Sequence, residues 1–277
     1  MNRFIGITRE PVFSPGKVDD DRAILEMTAA RLRELGHAVD VCSAADDEWP
    51  EPDDATVVFT MAQGARAVQR LQQWEARGVR IINRSAGILN CQRHRTVAAF
   101  AGTDIAFPQT ELLATDAEAC LPAWVTNPMS GAGGAWVKRG DVHATEADDV
   151  VYVADAVAAR HALQRFRARG IATAVVQQHM AGTVVKFYAV RGKFFHCVAP
   201  NAGSELSPAV MHGLDALGRR AADILDVEVY GGDCVVGVTG GLSLIDLNDW
   251  PSYAPCRARA AGGIAAHLLA QTIATES

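Results

Sequence analysis

Lysine is nearly missing from this chain. Only Lys17, Lys138, Lys186 and Lys193 are lysine among 277 residues; the other basic residues are arginine. The net charge is -6 and no basic block occurs, which argues against nucleic acid as the main partner. No apolar run reaches membrane-spanning length, so no membrane partner is expected. Six cysteines are scattered (Cys42, Cys91, Cys120, Cys197, Cys234, Cys256), and none forms a CxxC pair. Buried, reduced thiols are therefore the reading, not zinc ligands or disulfides. A glycine-rich dinucleotide fingerprint is also lacking: Thr8-Arg9-Glu10-Pro11 stands where it would follow the first strand. The N-terminus, Met-Asn-Arg-Phe-Ile-Gly, already reads as a strand and not as a signal peptide, so a cytoplasmic location is expected. No repeat or low-complexity tract appears.

What is present is a chain that is 49% hydrophobic, enough for one large domain or two to three small lobes. Strand and helix patterns alternate through the first part: a strand to Thr8, a helix from Asp19–Asp21 to Gly36, strands at Val39–Cys42 and Thr56–Thr60, a helix from Ala65 to Arg77, and a strand at Val79–Asn83. Such alternation implies a parallel sheet covered on both faces, and this Rossmann-like lobe ends near Arg84. A short helix opens around Cys91–Thr96. Beyond it come strands at Ala135–Arg139, Asp149–Val153 and Thr173–Met180, a helix at Ala156–Arg169, a hairpin spanning Val184–Val198, a helix capped by Ser207 and Pro208, and a last helix from about Pro255 to Ile273.

The stretch around which the chain is organised is a second hairpin. Gly231 to Val236 and Leu242 to Asp249 flank a Thr239-Gly240 turn. If the turn is centred between those two residues, Asp233 sits opposite Asp246, and Asn248, two positions on, shares the face of Asp246. Two carboxylates that close repel unless a cation lies between them. Hard oxygen donors suit magnesium, which is held by one or two carboxylates plus substrate phosphates; a polar strand end making turn hydrogen bonds is the competing reading.

The rare lysines are informative in this setting. Lys138 ends an apolar strand after Gly131–Gly134, and Lys186 stands inside the apolar run Val184–Val190, where an unpaired buried cation is unusual. Both suit a phosphate as point charges; a snorkelling side chain and a structural salt bridge are the alternatives. Gln177, Gln178 and His179 end a strand where polar groups and exposed backbone can read a purine edge. Arg9, after the first strand, is a candidate for gripping an acidic group, with a solvated loop arginine as the favoured reading. His94 reads as a surface helix histidine.

Taken in order, Lys138, Gln177-Gln178-His179, Val185 to Val190 with Gly192, Asp233, and Ile245-Asp246-Leu247-Asn248-Asp249-Trp250-Pro251 resemble the motifs of ATP-grasp proteins. The likeness is to the ribosomal-protein glutamate ligase branch and, in several motifs, to the inositol trisphosphate 5/6-kinase branch. The resemblance implies an α/β and α+β chain. A Rossmann-like lobe (1–84) would precede a small central ATP-grasp lobe (85–175) and a C-terminal lobe with a mixed or antiparallel sheet and the metal site (176–277). It implies that Lys138 and Lys186 contact ATP phosphates and that Gln177, Gln178, His179 and Met180 hold adenine, through side chains or backbone. Asp233, Asp246 and Asn248 would hold one or two magnesium ions. Arg93 stands where the family carries a lysine, so Arg93 and Lys186 are the catalytic candidates. Arg9, His143, Arg191 and Ser252 are candidates for the acceptor side. The stretch after Lys138, Arg139-Gly140-Asp141-Val142-His143, is short for a phosphate lid. Three activities follow from the resemblance: an ATP-dependent carboxylate–amine (or thiol) ligase acting through an acyl phosphate on a small-molecule or peptide acceptor, a small-molecule kinase of the inositol polyphosphate type, and a non-catalytic nucleotide-binding module. The partners implied are ATP and a small-molecule acceptor, with a homodimer left open.

Overall fold

The computed structural model describes residues 1–116, 120–126, 133–141, 146–199 and 206–273. The described strands form three four-stranded sheets. In the first, β1 (Arg3–Thr8), β2 (Ala38–Ser43), β3 (Val57–Thr60) and β4 (Arg80–Ile82) run parallel in the order β2-β1-β3-β4. The crossovers are α1 (Val18–Glu34) and α2 (Ala65–Ala76), as the alternating pattern predicts. Side chains alternate across the sheet: Phe4, Val57, Phe59 and Ile82 join the core with α1, while Ile5, Ile7, Val58 and Ile81 join the core with Val68, Leu71 and Trp74 of α2.

Where one short helix was expected, two occur, α3 (Ser85–Asn90) and α4 (Arg93–Phe100). Gln92 between them is extended, and the Thr96 hydroxyl donates to the Asn90 carbonyl at 2.9 Å, meeting an acceptor that the end of α3 leaves open. The second sheet has the order β5-β8-β6-β7, antiparallel throughout. Its members are β5 (Thr110–Ala114), β6 (Ala135–Arg139), β7 (Val150–Val153) and β8 (Thr173–Gln178). Between them lie α5 (Ala123–Thr126) and α6 (Ala156–Ala168), the latter covering one face through Ala159, Leu163 and Phe166. β5, an edge strand of partly polar sequence, escaped the sequence reading.

The third sheet holds β9 (Thr183–Val190), β10 (Phe194–Val198), β11 (Val229–Val236) and β12 (Leu242–Asp249) in the antiparallel order β10-β9-β11-β12. Both expected hairpins are there. α7 (Pro208–Leu225) begins where cap chemistry put it, with the Ser207 hydroxyl accepting from the Val210 amide.

The last helix, α8 (Arg257–Ile273), returns to the first sheet. Its Ala260, Ala261, Ile264, Ala265 and Leu268 share one core with Leu25 and Leu32 of α1 and with Phe4 and Phe59. The buried Asn83 strengthens this junction: its side chain accepts from the Glu228 and Val229 amides and donates to the Val229 carbonyl. It thus stands in for a strand neighbour at the start of β11. Among the described residues no helix is long and apolar enough to cross a membrane.

Candidate active site

The site is built on two rungs of the third sheet. On the first, Lys186 of β9, Asp233 of β11 and Asp246 of β12 are direct neighbours. On the second stand Tyr188, Gly231 and Asn248. Residues two apart on a strand share a face, so the charged rung and the Tyr188–Asn248 rung open to the same side. All six line one cavity of about 320 Å³.

The pairing of Asp233 with Asp246 is as the sequence implied, for a different reason. The turn is centred on Thr239, with Val236 opposite Leu242, and not half a residue later. A bulge then shifts the register, since Cys234 faces Leu244 whereas Asp233 faces Asp246. The additional residue, Ile245, restores the acid pair and turns its carbonyl to the Lys138 ammonium, 3.2 Å away.

The two lysines exchange the environments read from the sequence. Lys186 was expected to be the buried one, but its side chain is 60% exposed and donates to Asp233 Oδ1 at 2.7 Å. An apolar run on an antiparallel sheet with one open face alternates between inside and outside, and Lys186 falls on the open face. Burial works against its charge, yet Asp233 outweighs it and holds the lysine above its ordinary pKa. Lys138 is the buried lysine, at 7% exposure. Its Nζ donates to Gln177 Oε1 at 2.7 Å, and burial pulls its pKa down to about 8, against a smaller opposing pull from Asp246. Arg93, at the start of α4, is also buried; it lies 3.6 Å from Asp246 Oδ2 and donates to the Arg139 carbonyl.

Lys138 and Gln177 line a small second cavity that shares Arg93 and Asp246 with the first. The structure therefore brings together Lys138, Lys186, Arg93, Gln177, Asp233, Asp246 and Asn248. Gln177 turns inward: it accepts from Lys138 and donates to the Thr110 hydroxyl at 3.3 Å. Gln178, His179 and Met180 line neither cavity. The His179 amide donates to the Gly134 carbonyl, and its ring accepts from Trp136. His94 is tied to the Gly140 carbonyl through both amide and ring.

Two acceptor-side expectations change. Arg191 sits in the β9–β10 turn, away from the charged rung, bound to Asp223 and to the Val227 carbonyl. Arg9 does line the cavity, but as a strut. Its guanidinium donates to Asp21 and to the carbonyls of Met61, Asp249 and Trp250, which ties the end of β12 to the first lobe. Ser252 lines the cavity, and His143 lies outside the described residues. Gln63, Tyr188 and Lys17 line it too and were missed. Gln63 follows the carboxyl end of β3, where ligands of parallel sheets bind, and Tyr188 is two residues from Lys186. Both signals were available in the sequence.

The donor set fits magnesium. Asp233, Asp246 and Asn248 offer hard oxygens to one cavity, and two of the three are acids that already face cations. Among the described residues no group of three or more His, Cys, Asp or Glu side chains gathers as a metal cage. The two acids and Asn248 leave positions in an ion's shell for water and phosphate oxygens, as magnesium takes them.

No protein-family model matches the chain, and no curated protein is similar to it in sequence. Solved structures do match in fold. The D-alanine–D-alanine ligase of Bacillus anthracis, complexed with ATP, superposes with a TM-score of 0.72 at 12% identity, covering 99% of this chain and 100% of that one. The RimK domain ATP-grasp protein of Sphaerobacter thermophilus gives 0.67 at 21% identity, covering 96% and 99%. The D-alanine–D-alanine ligase of Coxiella burnetii gives 0.70 at 9% identity, covering 100% and 98%. The matches span nearly its whole length, and the chain has the ATP-grasp fold.

Proposed function

We propose that this chain is an ATP- and magnesium-dependent carboxylate–amine ligase. The observation that carries the reading is the rung Lys186–Asp233–Asp246, with Arg93 behind it, facing one cavity. Two adjacent acids stand there between two cations, as a divalent ion and a triphosphate would require. The fold likeness to ligases, one of them complexed with ATP, supports the same reading.

In this reading Lys186 and Arg93 hold the phosphate oxygens, and Lys138 reaches them from β6. Their positive charge stabilises the charge that builds as the phosphoryl group moves. A carboxylate oxygen of the acceptor attacks the γ-phosphorus, and the bond to the β–γ bridging oxygen breaks to release ADP. The amine nitrogen then attacks the acyl carbon, the acyl C–O bond breaks, and phosphate leaves with the proton of the amine. Magnesium, held by Asp233, Asp246 and Asn248, would supply Lewis-acid neutralisation of phosphate charge.

A kinase acting on a polyphosphate would want a dense basic cleft. Of Arg9, Arg84, Arg93, Arg95, Arg139 and Arg191, only Arg9 and Arg93 line the cavity. Arg139 faces Asp141 and Asp149, and Arg191 faces Asp223. The test is product identity. The purified chain is incubated with ATP, magnesium and pooled carboxylates and amines, and products are read by mass spectrometry. Amide with free phosphate supports the ligase; a phosphorylated alcohol, or no ATP consumption, refutes it.

A further inference from the structure

We propose that the acceptor is a small dicarboxylate whose second carboxylate is bound by Lys17; this rests on the ligase reading above. The charged rung lines the cavity together with residues of the first lobe, among them Phe13, Ser14, Lys17 and Gln63. The acids near these first-lobe residues are already committed. Asp21 takes the Ser14 hydroxyl and the Arg9 guanidinium at 3.1 Å. Asp20 is paired with Arg257 at 2.7 Å. Asp249 is buried and accepts from the Gln63 amide at 3.1 Å.

Lys17 differs from the other cations of the cavity. Arg9 faces Asp21, Arg93 faces Asp246, and Lys186 faces Asp233. Among the described residues no acid lies within ion-pair distance of Lys17. It is an exposed residue lining the cavity, set on the first lobe, whereas Lys186, Asp233 and Asp246 stand on the third sheet. In this proposal the ligand's first carboxylate is placed for attack at the rung and its far end meets Lys17. A second carboxylate there would gain a charge-assisted hydrogen bond from Lys17, whereas an apolar end would leave the ammonium with water alone. The same cavity, about 320 Å³, lies at the low end of small-molecule sites and also receives phosphate oxygens and the divalent ion, so the room beyond them suits a short diacid or an acidic amino acid.

The test uses the full chain with ATP, magnesium and hydroxylamine, which traps the acyl phosphate as a hydroxamate. Succinate, glutarate and glutamate are compared with butyrate and valerate. The expected result is a kcat/KM preference for diacids of about tenfold or more, the size of one charge-assisted contact. That preference is lost in Lys17→Ala and Lys17→Glu and kept in Lys17→Arg. Monoacids used as well as diacids by the wild type, or a preference unchanged in Lys17→Ala, overturns the inference and leaves the ligase standing. Hydroxamate from none of these acids overturns both.

Discussion

The Lys138 ammonium donates to Gln177 Oε1 at 2.7 Å, and both side chains are buried between β6, β8 and the bulge of β12. A cation with so little water is held below its ordinary pKa, at about 8 against 10.5. The folded chain therefore binds fewer protons than the unfolded chain between these two values. Stability contributed by this group is lowest below pH 8 and rises as pH climbs toward 10.5, by up to about 1.4 kcal/mol per pH unit. Lys138→Met removes that rise. Urea denaturation of both proteins from pH 7 to 10 is the check: their stability difference should shift in favour of the wild type as pH increases.

Lys186 and Asp246 should separate function from stability. Lys186 is largely exposed, and an exposed pair contributes about 0–1 kcal/mol. Lys186→Met is thus expected to melt within a few degrees of the wild type, while ATP binding or phosphoryl transfer weakens at least about tenfold through loss of a charged contact to phosphate. Asp246→Asn keeps the size of the side chain facing Arg93 and should abolish magnesium-dependent ATP turnover. Calorimetric melting together with ADP release measures both halves of the prediction; wild-type turnover in either variant removes that residue from the site.

Asn83 tests the junction between the first and third sheets. Its side chain satisfies two amides and one carbonyl of Glu228 and Val229, all buried. Asn83→Ala leaves the two amides without partners, at about 1–3 kcal/mol for each one that water cannot reach, while the Val229 carbonyl keeps the Trp250 amide. A loss of about 3 kcal/mol or more in chemical denaturation is expected, far beyond an average surface change.

Gly231 is the small member of the second rung. A Cβ there would stand 2.7 Å from the Phe187 carbonyl oxygen and 2.8 Å from Pro251 Cγ. Neither backbone nor ring can step aside without moving β11 against β9. Gly231→Ala should cost about 1–3 kcal/mol as overpacking and raise the KM for ATP, because the shift displaces Asp233 two residues away. Denaturation and ATP kinetics on one preparation would read both effects.

The hairpins, the parallel first sheet and the cap of α7 were legible because each is written locally, in β-branched runs, in the Thr239-Gly240 turn and in Ser207-Pro208. The facing of Asp233 and Asp246 was legible too, although the bulge that secures it was not: one additional residue on β12 has no signature in the pattern of apolar side chains. β5 was missed because an edge strand needs few apolar residues. The division of α3 from α4 was missed because its determinant is a Thr96 hydroxyl reaching back to Asn90.

The sequence by itself singled out the candidate residues, for rare lysines and paired acids on apolar strands have few reasons to be there. Only the tertiary structure decided their states. It buried Lys138 and exposed Lys186, tied Arg9 into a strut, sent Arg191 away from the charged rung and brought α8 back onto the first sheet. Burial and charge pairing depend on what other segments pack against a side chain. That information lies in contacts between residues far apart in the chain, and local pattern does not contain it.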